Sequence, residues 1–449
     1  MLSKAEYQRG DDRGGWMVSI FIVIALLQAA GALERTAAFL LPALPATTIT
    51  DAFKLVWFSL YAWALFGLLA KYNLVSIIAA RRLHWVLAGV LAIACLSATW
   101  SLDRWLTVQR VVHVLGTTAI GLYIGYHFDT RRILVSVFIS LVILAAGGGV
   151  VAAVIPEFGR SLYEGELVWN GLQNEKNAFG FAACSCILLC LCQTQALRPA
   201  ASRPVLALVI LLALVALVMS KSVTSLAALL AGVSVLAMFL LATRLHLSPT
   251  LSGSLVIACV LLALVGGNLL GLDGFGAWTS LVGRSSDLSG RSDIWMPTWG
   301  LILDNPLLGY GYGAVWFPRQ ELESAQQTLL GLTWTAYSAH NGFLQLASEI
   351  GLPAALLAMA FAILSLFEMV GLYRRRPSPY VLFIVAYQVA FLLANTFEAI
   401  LMVDRNMNWI LFIALPLSAV RAYQRMDPVS APLAPPLPRS AMPGLSHRP

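Results

Sequence analysis

Charged residues are scarce in this sequence. Only 11% of the 449 residues are Asp, Glu, Lys or Arg, whereas 59% are hydrophobic, and soluble globular proteins have about 25% charged residues. A soluble globular protein is therefore excluded. Apolar runs of about twenty residues recur along the chain, each long enough to cross a hydrocarbon core. We expect an all-α integral membrane protein, because barrel strands would alternate over about ten residues.

The apolar runs predict about twelve transmembrane helices. The runs lie near residues 15–33, 53–70, 84–99, 107–126, 133–155, 176–194, 204–219, 222–243, 253–271, 347–371, 379–397 and 405–421. The sequence has no fixed-period repeat and no matching pair of broken helices in its two halves, a pattern that would indicate an inverted-repeat transporter.

Positively charged residues indicate the orientation of the chain in the membrane. If the N-terminus is cytoplasmic, 18 of the 29 Lys and Arg residues fall on the inner side, and 16 of the 22 acidic residues fall on the outer side. Cytoplasmic loops of membrane proteins carry this excess of Lys and Arg. We therefore expect both termini in the cytoplasm. The net charge of +7 follows from topology and indicates no nucleic-acid partner.

The chain is expected to form one membrane domain, residues 1–425, followed by a disordered cytoplasmic tail, residues 426–449. The tail is rich in proline, which blocks helices and sheets. The longest polar-punctuated stretch, residues 272–339, is predicted as a periplasmic loop between spans nine and ten. Within it, one short helix near 294–303 should lie at headgroup depth, and a second should run from about 314 to 330.

The sequence offers little to hold a metal ion or to form disulfides. All six cysteines lie in predicted spans, where small apolar packing residues are expected. The outer segments contain no Asp-Asp or Asp-x-Asp pair that could bind a divalent cation. A metal-independent site without a cofactor is therefore expected.

His340 is the candidate general base. It is the one histidine at the outer face among glycine and amide neighbours. An unperturbed imidazole titrates near pH 6.5, so that it can take a proton from a hydroxyl at neutral pH. The alternative is an interfacial histidine that caps a helix beside Ser338 and Asn341.

Four outer cations are candidates for binding an anionic substrate. Guanidinium groups clamp phosphate oxygens in pairs, so Arg284 and Arg291 could hold a lipid-linked diphosphate. They could instead pair with nearby acidic residues of their own loop. Lys176 and Lys221 could contact the same substrate, or could snorkel to the interface.

Three acidic residues could orient the histidine or an acceptor sugar. Glu349 follows His340 in the next span, and Glu398 and Asp404 lie at the last outer turn. As charges at helix ends they need no such role.

Short motifs of this chain occur in an order that resembles a known family. The succession is Gly-Arg-x-x-Ile-Trp at 290–295, Asn-Pro-Leu-Leu-Gly-Tyr-Gly at 305–311, Ala-His-Asn-Gly-x-Leu at 339–344 and Glu-Ile-Gly-Leu at 349–352, with Asn-Glu-Lys-Asn at 174–177. This resembles the bacterial O-antigen ligase and O-antigen polymerase superfamily, with most similarity to the exopolysaccharide polymerase branch.

The resemblance implies a metal-independent glycosyltransferase of the bacterial inner membrane. Its donor would be a glycan on undecaprenyl diphosphate, and its acceptor a growing glycan or lipid A core. By motif position, His340 would be the general base and Arg291 the catalytic loop arginine. Substrate contacts would come from further polar residues of the outer face, namely Arg284, Lys176, Asn177, Lys221, Asn341 and Glu349.

The activity within the superfamily is left open between polymerase and ligase. Ligases often carry Arg after the Ser-x-Ser turn, but here Val223 occupies that position, which favours a polymerase. Lys221 could substitute for the arginine. A transporter or flippase would need charges deep within the spans, whereas the ionisable residues lie mostly at span ends. A non-catalytic subunit of an export complex is a further alternative.

Overall fold

The computed structural model describes residues 15–163, 165–193, 197, 202–245, 291–316 and 323–426. These residues form α-helices and one two-stranded hairpin, and the chain is a helical membrane protein. The expected all-α class is thus confirmed for the described residues apart from the hairpin. The elements up to the hairpin are α1 (Gly15–Ala29), α2 (Ala32–Leu40), α3 (Ala46–Lys71), α4 (Leu74–Ala79), α5 (Arg82–Leu96), α6 (Arg104–His127), α7 (Thr130–Val142), α8 (Gly148–Val154), α9 (Pro156–Gly159), β1 (Arg160–Tyr163) and β2 (Glu166–Trp169).

The remaining elements carry most of the sequence motifs. They are α10 (Lys176–Gln193), α11 (Arg203–Met219), α12 (Val223–Arg244), α13 (Arg291–Asp304), α14 (Glu323–Leu330), α15 (Gly342–Arg375), α16 (Pro379–Asn395) and α17 (Met407–Met426). A π-helical turn, Ile143–Gly147, joins α7 to α8.

Five of the described helical segments are long and apolar enough to cross a membrane, or six if the bent pair α1 and α2 forms one span. α10, α11 and α16 are apolar but shorter. The predicted ninth span, 253–271, and the predicted tail, 426–449, lie outside the described residues except for Met426. The count of twelve spans and the cytoplasmic termini therefore stay predictions.

Small residues let helices of the central bundle approach closely. α6 packs along α17, and a Cβ atom at Gly121 would lie 2.9 Å from Ile413 Cβ. The indole of Trp409 donates a hydrogen bond of 2.9 Å to the Thr118 hydroxyl across the same interface. Close packing and interhelical hydrogen bonds are the main source of helix association in lipid, where the hydrophobic effect between helices is missing.

The segment 305–313 folds into tight turns around a kink in α15. Gly351 has φ 82° inside that helix, and a Cβ there would lie 2.1 Å from the carbonyl oxygen of Leu307. The Leu352 N–H, freed at the kink, donates to the Pro306 carbonyl at 2.8 Å. Only glycine accepts both the positive φ and the close contact. The kink therefore anchors the motif loop to the outer part of α15.

The long loop contains the helix that was expected near 294–303, but the helix that was expected from about 314 to 330 has a different start. α13 covers residues 291–304 and exposes Met296 and Trp299 while burying Ile294 and Ile302, as a helix lying at an interface should. The expected helix 314–330 is wrong at its start. Residues 314–316 form turns after Gly313, whose φ is 72°, and the described part of the second helix, α14, covers Glu323–Leu330.

Candidate active site

His340 stands in a short, tightly held turn just before α15. Its φ is 48°, in the left-handed region that non-glycine residues seldom occupy. Its N–H donates to the Ser338 hydroxyl at 3.0 Å. The carbonyl of the preceding residue, Ala339, accepts a 2.9 Å bond from the indole of Trp295 on α13. Strain at such a position persists only where neighbours hold the backbone, which points to a functional site.

Glu398 is the side-chain partner of His340. His340 Nδ1 lies 3.1 Å from Glu398 Oε2. A carboxylate can only accept, so Nδ1 carries the proton and the lone pair of a neutral imidazole stays on Nε2. The His340 side chain is 35% exposed and that of Glu398 is 14% exposed. The pair can therefore present a base to an incoming hydroxyl while its carboxylate stays sheltered.

The loop that carries Glu398 is held against the histidine turn by Gly342 and Asn395. A Cβ atom at Gly342 would lie 2.1 Å from Asn395 Oδ1. That oxygen accepts from the N–H groups of Ile400 and Leu401 at 3.1 and 2.8 Å. Since Asn395 is the last residue of α16, its side chain shapes the loop in which Glu398 lies. The absence of a side chain at Gly342 thus allows the turn with His340 to approach the loop with Glu398.

Asn177 connects Glu398 to the turn between α11 and α12. Asn177 Nδ2 donates to Glu398 Oε1 at 2.6 Å, and the Ser222 hydroxyl donates to Asn177 Oδ1 at 2.8 Å. Ser225 Oγ donates to the Asn177 carbonyl at 3.1 Å. Each contact fixes the direction of the next, because the carboxylate needs the amide NH2 and the amide oxygen needs a hydroxyl donor. One carboxylate oxygen is thereby occupied, and the other faces His340.

Glu175 adds a second acidic group to the site. Solvent reaches its side chain, but protein encloses it on most sides. Burial and the nearby Glu398 carboxylate raise the pKa of Glu175, and His340 opposes this rise. Two carboxyl groups therefore share the surroundings of one histidine, and Glu175 was not singled out in the sequence.

Lys176 and Lys221 both contact the hairpin. Lys176 Nζ lies 3.4 Å from the centroid of the Tyr163 ring, and Lys221 Nζ lies 3.1 Å from Glu166 Oε2. Lys176 is buried, with 7% exposure, whereas the Lys221 side chain is 41% exposed. Lys176 precedes Asn177 in α10, so this cation stands next to the hydrogen-bond chain that leads to His340.

Arg291 is the first residue of α13, and its backbone lies close to the histidine turn. Trp295, which bonds to Ala339, follows one helical turn later, about 6 Å along the axis. The orientation of the Arg291 side chain and the whole of Arg284 lie outside the described structure. Their expected grouping with Lys176 in one cavity therefore stays a prediction.

Two predicted substrate contacts, Asn341 and Glu349, are buried in the structure. Asn341 is 1% exposed, and its Oδ1 caps α15 by accepting from the N–H groups of Phe343 and Leu344. Asn341, not His340, is therefore the residue that caps the helix. Glu349 is 2% exposed. It was one of three acidic residues that could orient His340, but the carboxylate next to the His340 ring belongs to Glu398. Its Oε1 has no hydrogen-bond partner among the described residues.

A second polar cluster lies beside Glu349. Asp404, 3% exposed in its side chain, is 3.2 Å from Arg110 and 3.4 Å from Arg405. A small cavity lined by Glu349, Gln345 and Asp404 connects this cluster with Gly342. The sequence signal for Arg110 was weak, since it lies inside an apolar helix far from the motifs. Its only hint was a charge at the outer end of a predicted span.

Within the described part of the chain, no group of three or more His, Cys, Asp or Glu residues could hold a metal ion. Metal independence itself stays a prediction.

Comparison with known protein families supports the resemblance that the motifs indicated. Residues 208–359 match a family model described as O-antigen ligase. This range includes the Ser222 turn, the loop with Arg291, and His340, although not Asn177 or Glu398. A search of curated proteins found no match. The match confirms that this chain resembles the O-antigen ligase and polymerase superfamily, which its motifs indicated.

Proposed function

We propose that the protein is an inner-membrane, metal-independent glycosyltransferase that polymerises repeat units carried on undecaprenyl diphosphate. The observation that carries the proposal is the His340–Glu398 pair, with a 3.1 Å contact through Nδ1 and an accessible imidazole. A general base needs a free lone pair within reach of a substrate hydroxyl, and this arrangement leaves Nε2 available.

The reaction is a single displacement at the sugar carbon C1. Nε2 of His340 accepts the proton of the acceptor hydroxyl as its oxygen bonds to C1 of the donor sugar. The bond from C1 to the diphosphate oxygen breaks, its electron pair leaves with the diphosphate, and the configuration at C1 inverts. Glu398 stabilises the imidazolium that forms, as a carboxylate does when it is bonded to the opposite ring nitrogen.

Cations offset the charge of the departing diphosphate. Lys176 is buried next to Asn177, and buried cations act on developing charge more strongly than solvated ones. Arg291 stands at the start of a helix that is bonded to the histidine turn. Arg284 and Lys221 complete the set that we assign to the donor. The proposed site lies on the periplasmic side of the membrane, in line with the distribution of Lys and Arg in the sequence.

The alternative activity is an O-antigen ligase that transfers finished polymer to lipid A core. It would use the same donor and the same base. Val223 occupies the position after Ser-x-Ser where ligases often carry Arg. This favours the polymerase. A flippase is less well supported, because it gives the His340–Glu398 pair no chemical task.

Two experiments test the proposal. Purified protein should extend a lipid-linked repeat unit, and His340→Ala should slow this extension about 10²-fold to 10⁴-fold while inserting normally. Normal turnover by the alanine variant would rule out the assigned base.

A deletion strain should accumulate single repeat units on carrier lipid. Full-length polymer stranded on carrier lipid, with bare core lipid A, would instead establish the ligase.

A further inference from the structure

The hairpin of β1 and β2 has two faces of different chemistry. Its register pairs Leu162 with Leu167 and Tyr163 with Glu166. Side chains directly opposite each other in an antiparallel pair share a face, and successive residues alternate between faces. Leu162 and Leu167 therefore lie on one face together with Arg160 and Trp169. Tyr163 and Glu166 lie on the other face with Val168.

The polar face lies against the candidate site. Val168 is fully buried, Tyr163 lies under Lys176, and Glu166 pairs with Lys221. These two lysines are cations that we assign to the diphosphate of the donor. The polar face of the hairpin thus contacts the place where the head of the donor would lie.

The apolar face points away from the protein. Leu162 is 72% exposed and Leu167 is 61% exposed. At the end of the hairpin away from its turn, the Arg160 guanidinium lies 5.4 Å from the Trp169 ring centroid, and Arg160 Nε donates to the Ala152 carbonyl at 2.8 Å. Such Arg and Trp side chains are typical of the boundary between lipid and water.

The depth of the hairpin follows from its backbone. A two-stranded hairpin leaves edge N–H and C=O groups unpaired, and these cannot lie in the hydrocarbon core. Neighbouring helices expose apolar side chains, with Val154 at 73% and Val218 at 66%. The hairpin therefore lies where the headgroups meet the acyl chains, with two leucines directed at an apolar partner.

We propose that the apolar face of this hairpin binds the polyprenyl chain of the donor, next to the lysines that hold its diphosphate. The inference rests on the proposed function for the identity of the donor. A polyprenyl diphosphate joins an anion directly to an apolar chain. The hairpin offers the matching arrangement, with cations at one face and leucines at the other.

Kinetics with donors of different chain length provide the first test. The variant Leu162→Ala/Leu167→Ala should lower kcat/KM for a donor with a C55 chain by about tenfold, since each leucine loses apolar contact. With a soluble donor that carries a C10 chain, the variant should match the wild type. The control is Leu208→Ala/Leu211→Ala on α11, where both leucines are also exposed, at 53% and 58%. An equal loss with both donors, or an equal effect in the control, would overturn the proposal.

Photocrosslinking tests the proposal without any variant and without turnover. A polyprenyl diphosphate with a diazirine on the isoprene units nearest the diphosphate should label residues 160–169 of the wild-type protein in nanodiscs. A diazirine phospholipid at the same concentration should label them far less. Equal labelling by both lipids would mean a general membrane contact and would overturn the assignment. If the donor labels the hairpin but no glycan is transferred to any acceptor, the proposed function fails while the lipid contact stands.

Discussion

The proposed catalysis depends on a few side chains around His340. The Nδ1 contact to Glu398 and the 2.6 Å bond from Asn177 to the other carboxylate oxygen define how the imidazole is presented. Within this group only His340 is assigned a reaction with substrate. Glu398 and Asn177 are positioning residues, which act through the histidine.

The first prediction concerns Glu398→Gln. We expect transfer to slow by at least about tenfold, because a neutral amide no longer stabilises the imidazolium and can reverse the tautomer of His340. The measurement is a double-mutant cycle with His340→Ala. Once the histidine is gone, Glu398→Gln should cost nothing more. Additive losses in the cycle would mean that Glu398 acts independently of His340.

The second residue-scale prediction concerns Arg291→Lys. Lysine keeps the positive charge but loses the planar fork that binds two phosphate oxygens. We therefore expect a severe loss of kcat/KM for the lipid-linked donor, with protein expression unchanged. Near-normal steady-state kinetics in the lysine variant would remove Arg291 from the donor site.

At the scale of elements, the break between α11 and α12 acts as a support for the site. Lys221 has φ 52° in this break, and the Ser222 hydroxyl beneath it bonds to Asn177. Residues of a tight turn can hold hydroxyls in fixed directions, because the backbone there has few alternatives. Ser222 is therefore explained by its contact to α10, with or without an arginine after it, whereas Lys221 contacts Glu166 of β2.

The support role predicts an unequal effect of two buried Ser→Ala changes. Ser222→Ala removes the donor to Asn177 Oδ1, and we expect transfer to slow by about tenfold, an energy of about 1.4 kcal/mol, as for a lost hydrogen bond. Ser185→Ala is the matched control, since Ser185 is buried on the same helix as Asn177 and bonds only to the Phe181 carbonyl in the described structure. Equal activity of the two variants would exclude the proposed support.

At the scale of the whole molecule, the helices bring residues from distant parts of the chain to one end of the bundle. His340 and Glu398 are separated by 58 residues, and Asn177 and Glu398 by 221. α10, α15 and α16 supply or flank these groups, and α16 packs against both of the others. The site therefore depends on the assembled bundle and not on the long loop alone.

Metal independence is a prediction for the intact molecule. Because the proposed site neutralises the diphosphate with Lys and Arg, transfer by purified protein in EDTA should proceed at close to the untreated rate. The assay compares initial rates before and after chelation. If EDTA stops the reaction and Mg²⁺ restores it, the proposed mechanism is wrong even though the superfamily resemblance remains.

The sequence alone was sufficient for the features that depend on local composition. Apolar runs of sufficient length identified a helical membrane protein, because every backbone polar group in lipid must be satisfied within its own segment. The order of the short motifs identified the superfamily that the comparison also found. Three glycines within five residues, at 309, 311 and 313, favour tight turns, and all three have positive φ. Each of these inferences needs only residues that are neighbours in the chain.

Only the tertiary structure decided which polar residues act together. Glu349 follows His340 closely in the sequence, yet Glu398 is the carboxylate that meets its ring. Asn177 was placed among substrate contacts, but its amide joins Glu398 to Ser222. The sequence did not predict the hairpin, because its strands have only four residues each and lie in the polar loop between the predicted spans 133–155 and 176–194. Contacts between side chains on different helices depend on packing angles and on the rotation of each helix about its axis, and the composition of one segment does not contain this information.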